Sequence, residues 1–332
     1  MKFKALLVTE TEEGKFERSI VDRKLDDLPH GEVLIRVHYS ALNYKDALSA
    51  SGNKGITKKF PHTPGIDAAG VVELSRNENF ASGDEVIVTG YDLGMNTAGG
   101  FGQFIRIPAA WIVKKPESYT LKECMIIGTA GFTAATALYK MECQGLNPAA
   151  GPIVVTGSTG GVGSMAVAIL ANAGYDVIAV SGKENAWEYL QHLGAIRVEK
   201  RNWVNDLSGK ALLKPQWAGA IDTVGGNTLN TLLKGCKLEG CVASTGLVGS
   251  PKFEGTVYPF ILNGVSLLGV GSAEMPMETK KLIWAKLETH WNIKDKLNAI
   301  AKEVSLEELN SLYIDNILLG RVMGRIVVNL ES

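Results

Sequence analysis

The sequence predicts a mixed α/β protein made of a β-rich domain and a doubly wound parallel sheet. The chain has 332 residues, more than one hydrophobic core usually organises, so two domains are the default expectation. Its first third contains short strand-like runs separated by glycine and proline. From about Ile153, short β-branched runs alternate with longer segments of helical spacing. This second pattern is typical of a parallel sheet with helical crossovers.

The β-rich domain is predicted from its strand patterns and tight turns. Residues 3–10 form an apolar run bounded by polar residues, and residues 32–43 alternate apolar and polar side chains, as in a half-buried strand. Glycine and proline are concentrated at 61–65, 89–94 and 98–102, as expected of tight turns. The C-terminal segment 324–332 also has a strand pattern. A lone strand cannot pair by itself, so we expect this segment to return to the β-rich domain and to make it discontinuous.

Six short strands are predicted in the second domain. They lie at residues 153–156, 177–180, 195–198, 219–222, 241–244 and 266–270. Segments of helical spacing lie between and after them, at 162–173, 185–194, 277–291 and 305–320. The last of these segments begins with Ser305 and Glu308 at the spacing of a capping box.

The overall charge and the cysteines indicate small-molecule partners in a reducing compartment. Lys and Arg number 34 and Asp and Glu 35, so there is no electrostatic reason to expect a nucleic-acid or membrane-surface partner. The four cysteines form no CxxC pair and no cluster with histidine. The N-terminal segment lacks the apolar stretch of a secretory signal, and the longest apolar run is too short to cross a bilayer. We therefore expect a cytoplasmic protein whose partners are small molecules and other copies of the chain.

A glycine-rich turn after the first strand of the second domain predicts dinucleotide binding. Four glycines lie within the seven residues 157–163. They allow the backbone to approach a pyrophosphate, whose charge is favoured at the N-terminus of the following helix. The pattern departs from GxGxxG because Ser158 takes the first glycine position. The predicted cofactor contacts are Ser158, Thr159, Gly160, Gly161, Val162 and Gly163. A merely tight strand–helix turn would explain one close approach, but not four glycines.

The end of the second strand predicts NADPH rather than NADH. NAD enzymes usually carry an acidic residue there, which bonds the ribose 2′-hydroxyl. Here the strand is followed by Ser181, Gly182 and Lys183, all three of which are predicted cofactor contacts. Ser181 and Lys183 can donate to a 2′-phosphate, and Arg201, just past the third strand, adds a planar guanidinium. The alternative is that Lys183 and Arg201 are ordinary solvated surface charges.

Ordered motifs extend along the whole chain. They are residues 42–48, 64–67, 126–134, the glycine-rich turn, 181–183 and 218–225. Together they resemble the zinc-free branch of the medium-chain dehydrogenase/reductase superfamily, and more closely its bacterial group of acryloyl-CoA reductases and quinone oxidoreductases. The resemblance implies a GroES-like catalytic domain formed by residues 1–123 and 297–332, and a Rossmann NADP-binding domain formed by residues 124–296. It also implies a homodimer or a higher oligomer.

The resemblance places further cofactor contacts outside the glycine-rich turn. Gly246 and Leu247, after the fifth strand, lie where the family's cofactor domain meets the nicotinamide. Thr129 and Thr133 lie in the segment that enters this domain, and the resemblance allows either to contact the ribose or the substrate. Helix capping by both threonines is equally compatible with the sequence.

The positions that bind catalytic zinc in related enzymes hold other residues here. The family uses a Cys, a His and a second Cys, and the matching positions are Asn43, Ile66 and Ala130. No metal is therefore expected. Without a Lewis acid, alcohol–ketone interconversion lacks its usual means of polarising the oxygen. A double bond conjugated to a carbonyl is already polarised, so a reductase of activated double bonds is predicted.

The predicted reaction transfers hydride from NADPH to the β-carbon of an enoyl group and a proton to the α-carbon. Tyr44 is the candidate to line the nicotinamide site and to donate the proton. Asn43, Lys45 and Asp46 are expected to orient it, and Asn43 is also expected to bond the substrate carbonyl. The alternative for Tyr44 is an amphipathic packing residue after a strand.

The predicted substrate is acryloyl-CoA, which would be reduced to propanoyl-CoA. Coenzyme A carries several phosphates, which call for cationic partners at the cleft mouth. The candidates are Lys54, Lys58, Lys59, Arg321 and Arg325, although a solvated lysine-rich loop looks the same in sequence. One alternative is a quinone or small-enone reductase, which would need apolar walls instead. The other is a non-catalytic dinucleotide-binding regulatory protein, which would show a basic face and no turnover.

Overall fold

The secondary-structure elements belong to two units in this computed structural model, which describes residues 1–331. The first unit comprises Met1–Thr129, Ala273–Leu282 and Ile300–Ser332, and the second comprises Ala130–Ser272 and Ile283–Ala299. The main divisions thus lie a few residues after the domain boundaries expected from the sequence, and the first unit also takes in one short internal segment. The boundaries expected from the sequence stay a prediction.

Strands and helices alternate irregularly along the chain. The strands are β1 (Lys2–Glu10), β2 (Phe16–Lys24), β3 (Val33–Leu42), β4 (Asp67–Ser75), β5 (Glu85–Thr89), β6 (Phe104–Ile107), β7 (Ile112–Lys114), β8 (Ile153–Thr156), β9 (Val177–Val180), β10 (Ala195–Glu199), β11 (Trp217–Asp222), β12 (Cys236–Ser244), β13 (Ser266–Gly269), β14 (Ala301–Val304) and β15 (Arg325–Asn329). The helices are α1 (Tyr44–Ala50), α2 (Leu121–Cys143), α3 (Gly161–Asn172), α4 (Trp187–His192), α5 (Gly226–Lys234), α6 (Tyr258–Asn263), α7 (Met277–Glu288), α8 (Leu297–Ile300), α9 (Leu306–Glu308) and α10 (Ile314–Leu318).

The main sheet of the first unit combines strands from both ends of the chain. Its order is β14-β15-β3-β4-β5-β7, with β6 also paired to β3, while β1 and β2 form a separate antiparallel pair. Strand β15 pairs antiparallel with β3, Ile326 opposite Leu42, and parallel with β14. The C-terminal strand therefore returns to the N-terminal sheet. Strand β14 was not predicted, because it has only four residues and its two central ones, Lys302 and Glu303, are charged and exposed.

Strand β3 passes through the core of this unit. Val33, Ile35 and Val37 lie in one hydrophobic cluster, which also contains side chains of α10. Leu34 lies in a second cluster with Phe3. The alternation predicted a strand buried on one face, but β3 is buried on both faces near its start, because Phe3 and Leu28 cluster with Leu34 there.

The second unit contains all six predicted strands in one parallel sheet. Their order is β10-β9-β8-β11-β12-β13, so the direction of winding reverses between β8 and β11. In such sheets, ligands bind outside the carboxyl ends of the strands at this switch point. Strands β11 and β12 begin earlier than predicted, at Trp217 and Cys236, because these two residues already lie opposite each other in the sheet.

The last predicted helix, 305–320, is interrupted. A π-helical turn, Leu309–Tyr313, separates α9 from α10. The predicted capping box is confirmed: Ser305 Oγ accepts the N–H of Glu308 at 3.1 Å, and the N–H of Ser305 donates to Glu308 Oε2 at 3.0 Å. Among the helices that the structure describes, none has the length and apolar character needed to cross a membrane.

Candidate cofactor and active site

The glycine-rich turn joins β8 to α3 at the switch point of the parallel sheet. Gly157 has a φ of 57°, a conformation that glycine adopts at little cost. A Cβ at Gly163 would overlap the carbonyl oxygen of Gly157, so α3 can approach the turn only without a side chain there. Gly160 precedes α3 and provides no side-chain cap, which leaves the first N–H groups of the helix for an anionic ligand. The turn therefore fits a pyrophosphate.

The side chain of Ser158 belongs to the fold. Its buried hydroxyl donates to the carbonyl oxygen of Val155 at 2.7 Å and accepts the N–H of Val180 at 2.8 Å. These two bonds tie the end of β8 to the end of β9. A cofactor contact by Ser158 is therefore restricted to its main chain.

Asp222, at the end of β11, orders the loops beside this turn. Its buried carboxylate accepts the hydroxyl of Thr156 at 2.6 Å and the N–H groups of Val224 and Gly225 at 3.1 and 2.8 Å. Burial raises the pKa of this carboxyl above its usual value, against the effect of these hydrogen bonds. Sequence reasoning did not single out Asp222 as a site residue. The only indication in the sequence was that Asp222 ends a predicted strand of the parallel sheet, where ligands bind.

Gly246 and Leu247 lie in the loop that follows β12. A Cβ at Gly246 would overlap the main chain of Thr223, so this loop packs closely on the end of β11. The N–H of Thr245 also donates to the carbonyl oxygen of Asp222 at 2.8 Å. The structure thus brings Gly246 to the carboxyl ends of the central strands, with Leu247 largely exposed beside it. Their contact with a nicotinamide stays a prediction.

Ser181, Lys183 and Arg201 come together beyond the end of β9. The N–H of Ser181 donates to the carbonyl oxygen of Glu199 at 3.0 Å, which places the end of β9 beside the end of β10. The hydroxyl of Ser181 accepts the N–H of Lys183 at 3.0 Å. The side chain of Arg201 lies against the backbone of Gly182, the residue before Lys183. Burial lowers the pKa of Lys183, and the positive charge of Arg201 lowers it further. The two neighbouring cations, Lys183 and Arg201, favour the binding of an anion between them.

Asn43 and Asp46 form a capping box at the start of α1. Asp46 Oδ2 accepts the N–H of Asn43 at 2.8 Å, and Asp46 Oδ1 accepts the N–H of Ile66 at 2.8 Å. Burial and the neighbouring Asp67 carboxylate raise the pKa of Asp46 to about 7. Asp46 thereby orders the start of α1, whose first residue is Tyr44, and the expected role of Asp46 in orienting Tyr44 stays a prediction.

Arg325 and Asp67 form a buried ion pair, with Nη2 and Oδ2 3.4 Å apart and the two side chains 2% and 0% exposed. The remaining donors of Arg325 bond Asn43 Oδ1 at 2.9 Å and the carbonyl oxygens of Leu42 and Ile126, both at 3.1 Å. Every nitrogen of the guanidinium is therefore committed inside the first unit. The prediction that Arg325 contacts the phosphates of coenzyme A is wrong.

The amide of Asn43 is committed in the same way. Its Nδ2 donates to Asp67 Oδ2 at 2.8 Å and to Asp46 Oδ2 at 3.2 Å, while its Oδ1 accepts from Arg325. The predicted bond from Asn43 to a substrate carbonyl is therefore wrong. Thr129 donates its hydroxyl to Asp67 at 2.6 Å and is also part of this arrangement. We call Asn43, Asp46, Asp67, Thr129 and Arg325 the buried polar cluster.

Two of the four predicted catalytic residues, Tyr44 and Lys45, lie outside this cluster. Tyr44, the first residue of α1, is 41% exposed. Lys45 is half-buried, with Nζ 4.0 Å from Sδ of Met95. Helix α2 is interrupted at Gly128, whose φ is 46° and ψ −158°, and Thr133 lies within its second segment, five residues after the kink. The hydroxyl of Thr133 lies 2.7 Å from that of Ser272. Tyr44 therefore remains the candidate proton donor, and helix capping does not describe Thr133.

The lysine-rich loop contains paired and exposed cations. Lys54 lies 2.7 Å from a carboxylate oxygen of Glu10. Lys58, Lys59 and Arg321 are exposed, and their proposed contacts with phosphates stay predictions. Lys54 is the weakest of the four candidates, because its charge is already compensated.

Lys280 is a buried cation that sequence reasoning missed. Its Nζ donates to the carbonyl oxygen of Thr89 at 2.6 Å and lies 4.0 Å from the centre of the Tyr91 ring. Burial lowers its pKa to about 8, and the negative charge of Asp67 opposes this shift. Lys281 is the next residue in α7. The hydrophobic periodicity of this helix did not indicate which of the two lysines is buried.

The residues at the family's zinc positions do not fit a metal. Ile66 is aliphatic and buried, and the amide of Asn43 is engaged by two carboxylates. The guanidinium beside Asp67 would also repel a dication. Within residues 1–331, no three or more His, Cys, Asp or Glu side chains are grouped so that they could hold a metal ion.

Comparison with known proteins places these features in a family. The alcohol dehydrogenase GroES-like domain model matches residues 29–117, and the zinc-binding dehydrogenase model matches residues 161–288. The acrylyl-CoA reductase AcuI of Ruegeria pomeroyi is 41% identical over 99% of this chain and 100% of its own. YhfP of Bacillus subtilis, whose name proposes a quinone oxidoreductase, is 45% identical over 92% of each chain.

Two solved structures cover nearly the whole chain. The YhdH oxidoreductase of Salmonella enterica in complex with NADP has a TM-score of 0.94 at 40% identity, covering 98% of this chain and 99% of that one. Bacillus subtilis YhfP with NAD bound has a TM-score of 0.96 at 43% identity, covering 99% and 100%. With the doubly wound sheet, the glycine-rich turn and these full-length similarities, the chain belongs to the medium-chain dehydrogenase/reductase superfamily, in the group that includes the acrylyl-CoA reductases and YhfP.

Proposed function

We propose that the protein is an NADPH-dependent reductase of short enoyl-CoA thioesters, with acryloyl-CoA reduced to propanoyl-CoA as the favoured reaction. The observation that carries the substrate is the full-length similarity to an acrylyl-CoA reductase. The cofactor is supported by Lys183, which follows β9, and by Arg201, whose side chain lies against the adjacent Gly182. NAD enzymes carry a carboxylate at the end of this strand. It is also supported by the relative that was crystallised with NADP.

When bound at the glycine-rich turn and the Ser181–Lys183 segment, NADPH would supply a hydride for the β-carbon of the enoyl group. Electron density from the broken π bond moves to the carbonyl oxygen and forms the enolate of the substrate. A proton then adds at the α-carbon, so one hydride and one proton together saturate the double bond. The reaction needs no Lewis acid, because conjugation already polarises the acceptor.

The chain's own residues bind the cofactor and provide the proton. The main chain of the glycine-rich turn and the N-terminus of α3 hold the pyrophosphate. Lys183 and Arg201 hold the 2′-phosphate, and the exposed hydroxyl of Tyr44 donates the proton. The buried polar cluster fixes the start of α1, from which Tyr44 projects. The remaining proposed cofactor contacts are Thr133, Thr159, Gly161, Val162, Gly246 and Leu247.

A quinone or small-enone reductase is the second candidate. It is favoured by the 45% identity to YhfP. The ion pair between Lys54 and Glu10 also favours this candidate, because it neutralises one of the cations that were expected to bind the phosphates of coenzyme A.

The test is cofactor oxidation by metal-depleted protein, with NADPH and NADH supplied separately. Acryloyl-CoA, crotonyl-CoA and a simple quinone are the acceptors. We expect rapid oxidation of NADPH with acryloyl-CoA, and Tyr44→Phe to lower kcat about 100-fold without changing KM for NADPH. Turnover with the quinone alone would establish the second candidate. Absence of turnover with all three acceptors would leave a non-catalytic dinucleotide-binding protein.

We further propose a homodimer that forms through the β13 edge of the second unit's sheet. Strand β13 ends the sheet, and helix α6 directly precedes it. This helix exposes Tyr258, Ile261 and Leu262 by 45%, 68% and 58%. Apolar side chains beside a sheet edge are typical of an interface between copies.

Sedimentation velocity tests this dimer. We expect a species of about twice the 35.6 kDa of one chain, and Ile261→Asp to convert it to the monomer. Leu207→Asp, at a residue that is 84% exposed elsewhere in the unit, is the matched control. A wild-type protein that sediments as a single chain would contradict the proposal.

We also propose that the protein works in the cytoplasm on small molecules. All four cysteines are free thiols, as is typical of a reducing compartment. Burial raises the pKa of Cys236 to about 12 and that of Cys241 to about 11, so these thiols are poor nucleophiles. Cell fractionation tests the location.

A further inference from the structure

Gly182 lies between the two residues that bracket the proposed 2′-phosphate site. Its φ is outside the left-handed region, so its backbone conformation is open to any residue. The surrounding space is what requires glycine. A Cβ built on Gly182 would lie 2.5 Å from Nε, 2.8 Å from Cζ and 3.0 Å from Cδ of Arg201. The side chain of Arg201 therefore lies against the bare backbone of Gly182.

The sheet explains why these two residues meet. The hydrogen bond from Ser181 to the carbonyl oxygen of Glu199 holds the chain after β9 over the end of β10. Arg201 follows two residues later, at the start of the 3-10 turn Arg201–Val204. The side chain of Arg201 reaches Gly182 from this position. Its positive charge also acts on Lys183, the next residue along the chain.

We propose that Gly182 is a specificity-determining residue for the cofactor. Its missing side chain leaves the space in which Arg201 lies beside Lys183, so that both cations bind one 2′-phosphate. Gly182 thus acts by positioning Arg201 and not only by its own contact with the cofactor. The inference rests on the proposed function, because it assumes that the ligand carries a 2′-phosphate.

Substitution of Gly182 is expected to affect binding and not folding. The three atoms that a Cβ would meet all belong to the outer part of the Arg201 side chain. A long flexible side chain moves away at little cost, whereas main chain would not. Gly182→Ala should therefore leave the fold intact and displace the guanidinium from the phosphate site.

Titration calorimetry with two nucleotides tests the proposal without catalysis. Adenosine 2′,5′-bisphosphate carries the 2′-phosphate, and adenosine 5′-monophosphate lacks it. We expect Gly182→Ala to weaken binding of the bisphosphate about tenfold, the effect of one lost charge-assisted contact. Binding of the monophosphate and the Tm should stay as in the wild type. Gly271→Ala is the matched control, because Gly271 is exposed and an added Cβ would point into open space.

A double-mutant cycle distinguishes positioning from a direct contact. In an Arg201→Ala background, Gly182→Ala should have no further effect on the bisphosphate, because the side chain that it displaces is gone. Equal effects of Gly182→Ala in both backgrounds would overturn the proposal. An equal loss of affinity for both nucleotides, or a lowered Tm, would also overturn it.

The wild-type protein tests the cofactor assignment separately from the role of Gly182. If it bound both nucleotides equally, the NADPH assignment would fail, whereas a discriminating wild type with an unaffected Gly182→Ala would refute only the role of Gly182.

Discussion

Replacement of Arg325 by methionine is expected to lower the free energy of unfolding by about 3–5 kcal/mol. Methionine fills a similar volume but leaves the Asp67 carboxylate buried without its cation. It also leaves Asn43 Oδ1 and two main-chain carbonyl oxygens without their donor. Urea denaturation followed by circular dichroism gives the change. Arg325→Lys should also be destabilising, because one ammonium group cannot reproduce the planar fork of the guanidinium.

Arg321→Met is the matched control for Arg325→Met. Arg321 is exposed and four positions away in the sequence, so its loss should change the free energy of unfolding by no more than about 0.5 kcal/mol. In the double variant Asp67→Asn with Arg325→Met, part of the loss should be recovered because the uncompensated charge is removed. Equal stability of Arg325→Met and Arg321→Met would show that the buried ion pair contributes nothing.

The double variant Lys183→Ala with Arg201→Ala is expected to raise the Kd for NADPH about 100-fold or more. Each hydrogen bond to a charged group contributes about 1.5–3 kcal/mol, and about 1.4 kcal/mol corresponds to a tenfold change in affinity. The Kd for NADH should change by less than about threefold, because NADH has no 2′-phosphate for these cations to bind. Fluorescence titration of the reduced cofactors measures both constants.

Lys200→Ala controls for the general loss of positive charge near the site. Lys200 is adjacent to Arg201 in the sequence, but its Nζ lies 2.6 Å from a carboxylate oxygen of Glu184. We expect this variant to bind both cofactors as the wild type does. An unchanged Kd for NADPH in the double variant would return Lys183 and Arg201 to the alternative of solvated surface charges.

The fold could be predicted well where a pattern is local and apolar. The six strands of the parallel sheet are short, β-branched and separated by turn residues, so each was found from its own residues. Strand β14 was missed because its polar residues carry no such signal, and its pairing depends on β15. The π-helical turn at Leu309–Tyr313 has no simple periodic signature, so the segment was predicted as one helix.

The candidate site shows the same division. The glycine-rich turn and the Ser181–Lys183 segment are contiguous, and their chemistry could be predicted from the sequence. The buried polar cluster could not, because Arg325 and Asn43 are 282 positions apart. A lone arginine near the end of a chain reads as an exposed cation, and only the pairing of β15 with β3 brings it to Asp67.

The position of β15 within its sheet has a consequence for the order in which the chain folds. This strand lies between β14 and β3, yet it is the last to be synthesised. While the ribosome still holds the C-terminal segment, one edge of β3 lacks its partner and the carboxylate of Asp67 lacks its cation. All six strands of the parallel sheet emerge during that interval, so this sheet can be completed first. The main sheet of the first unit can therefore be completed only after β15 has been synthesised.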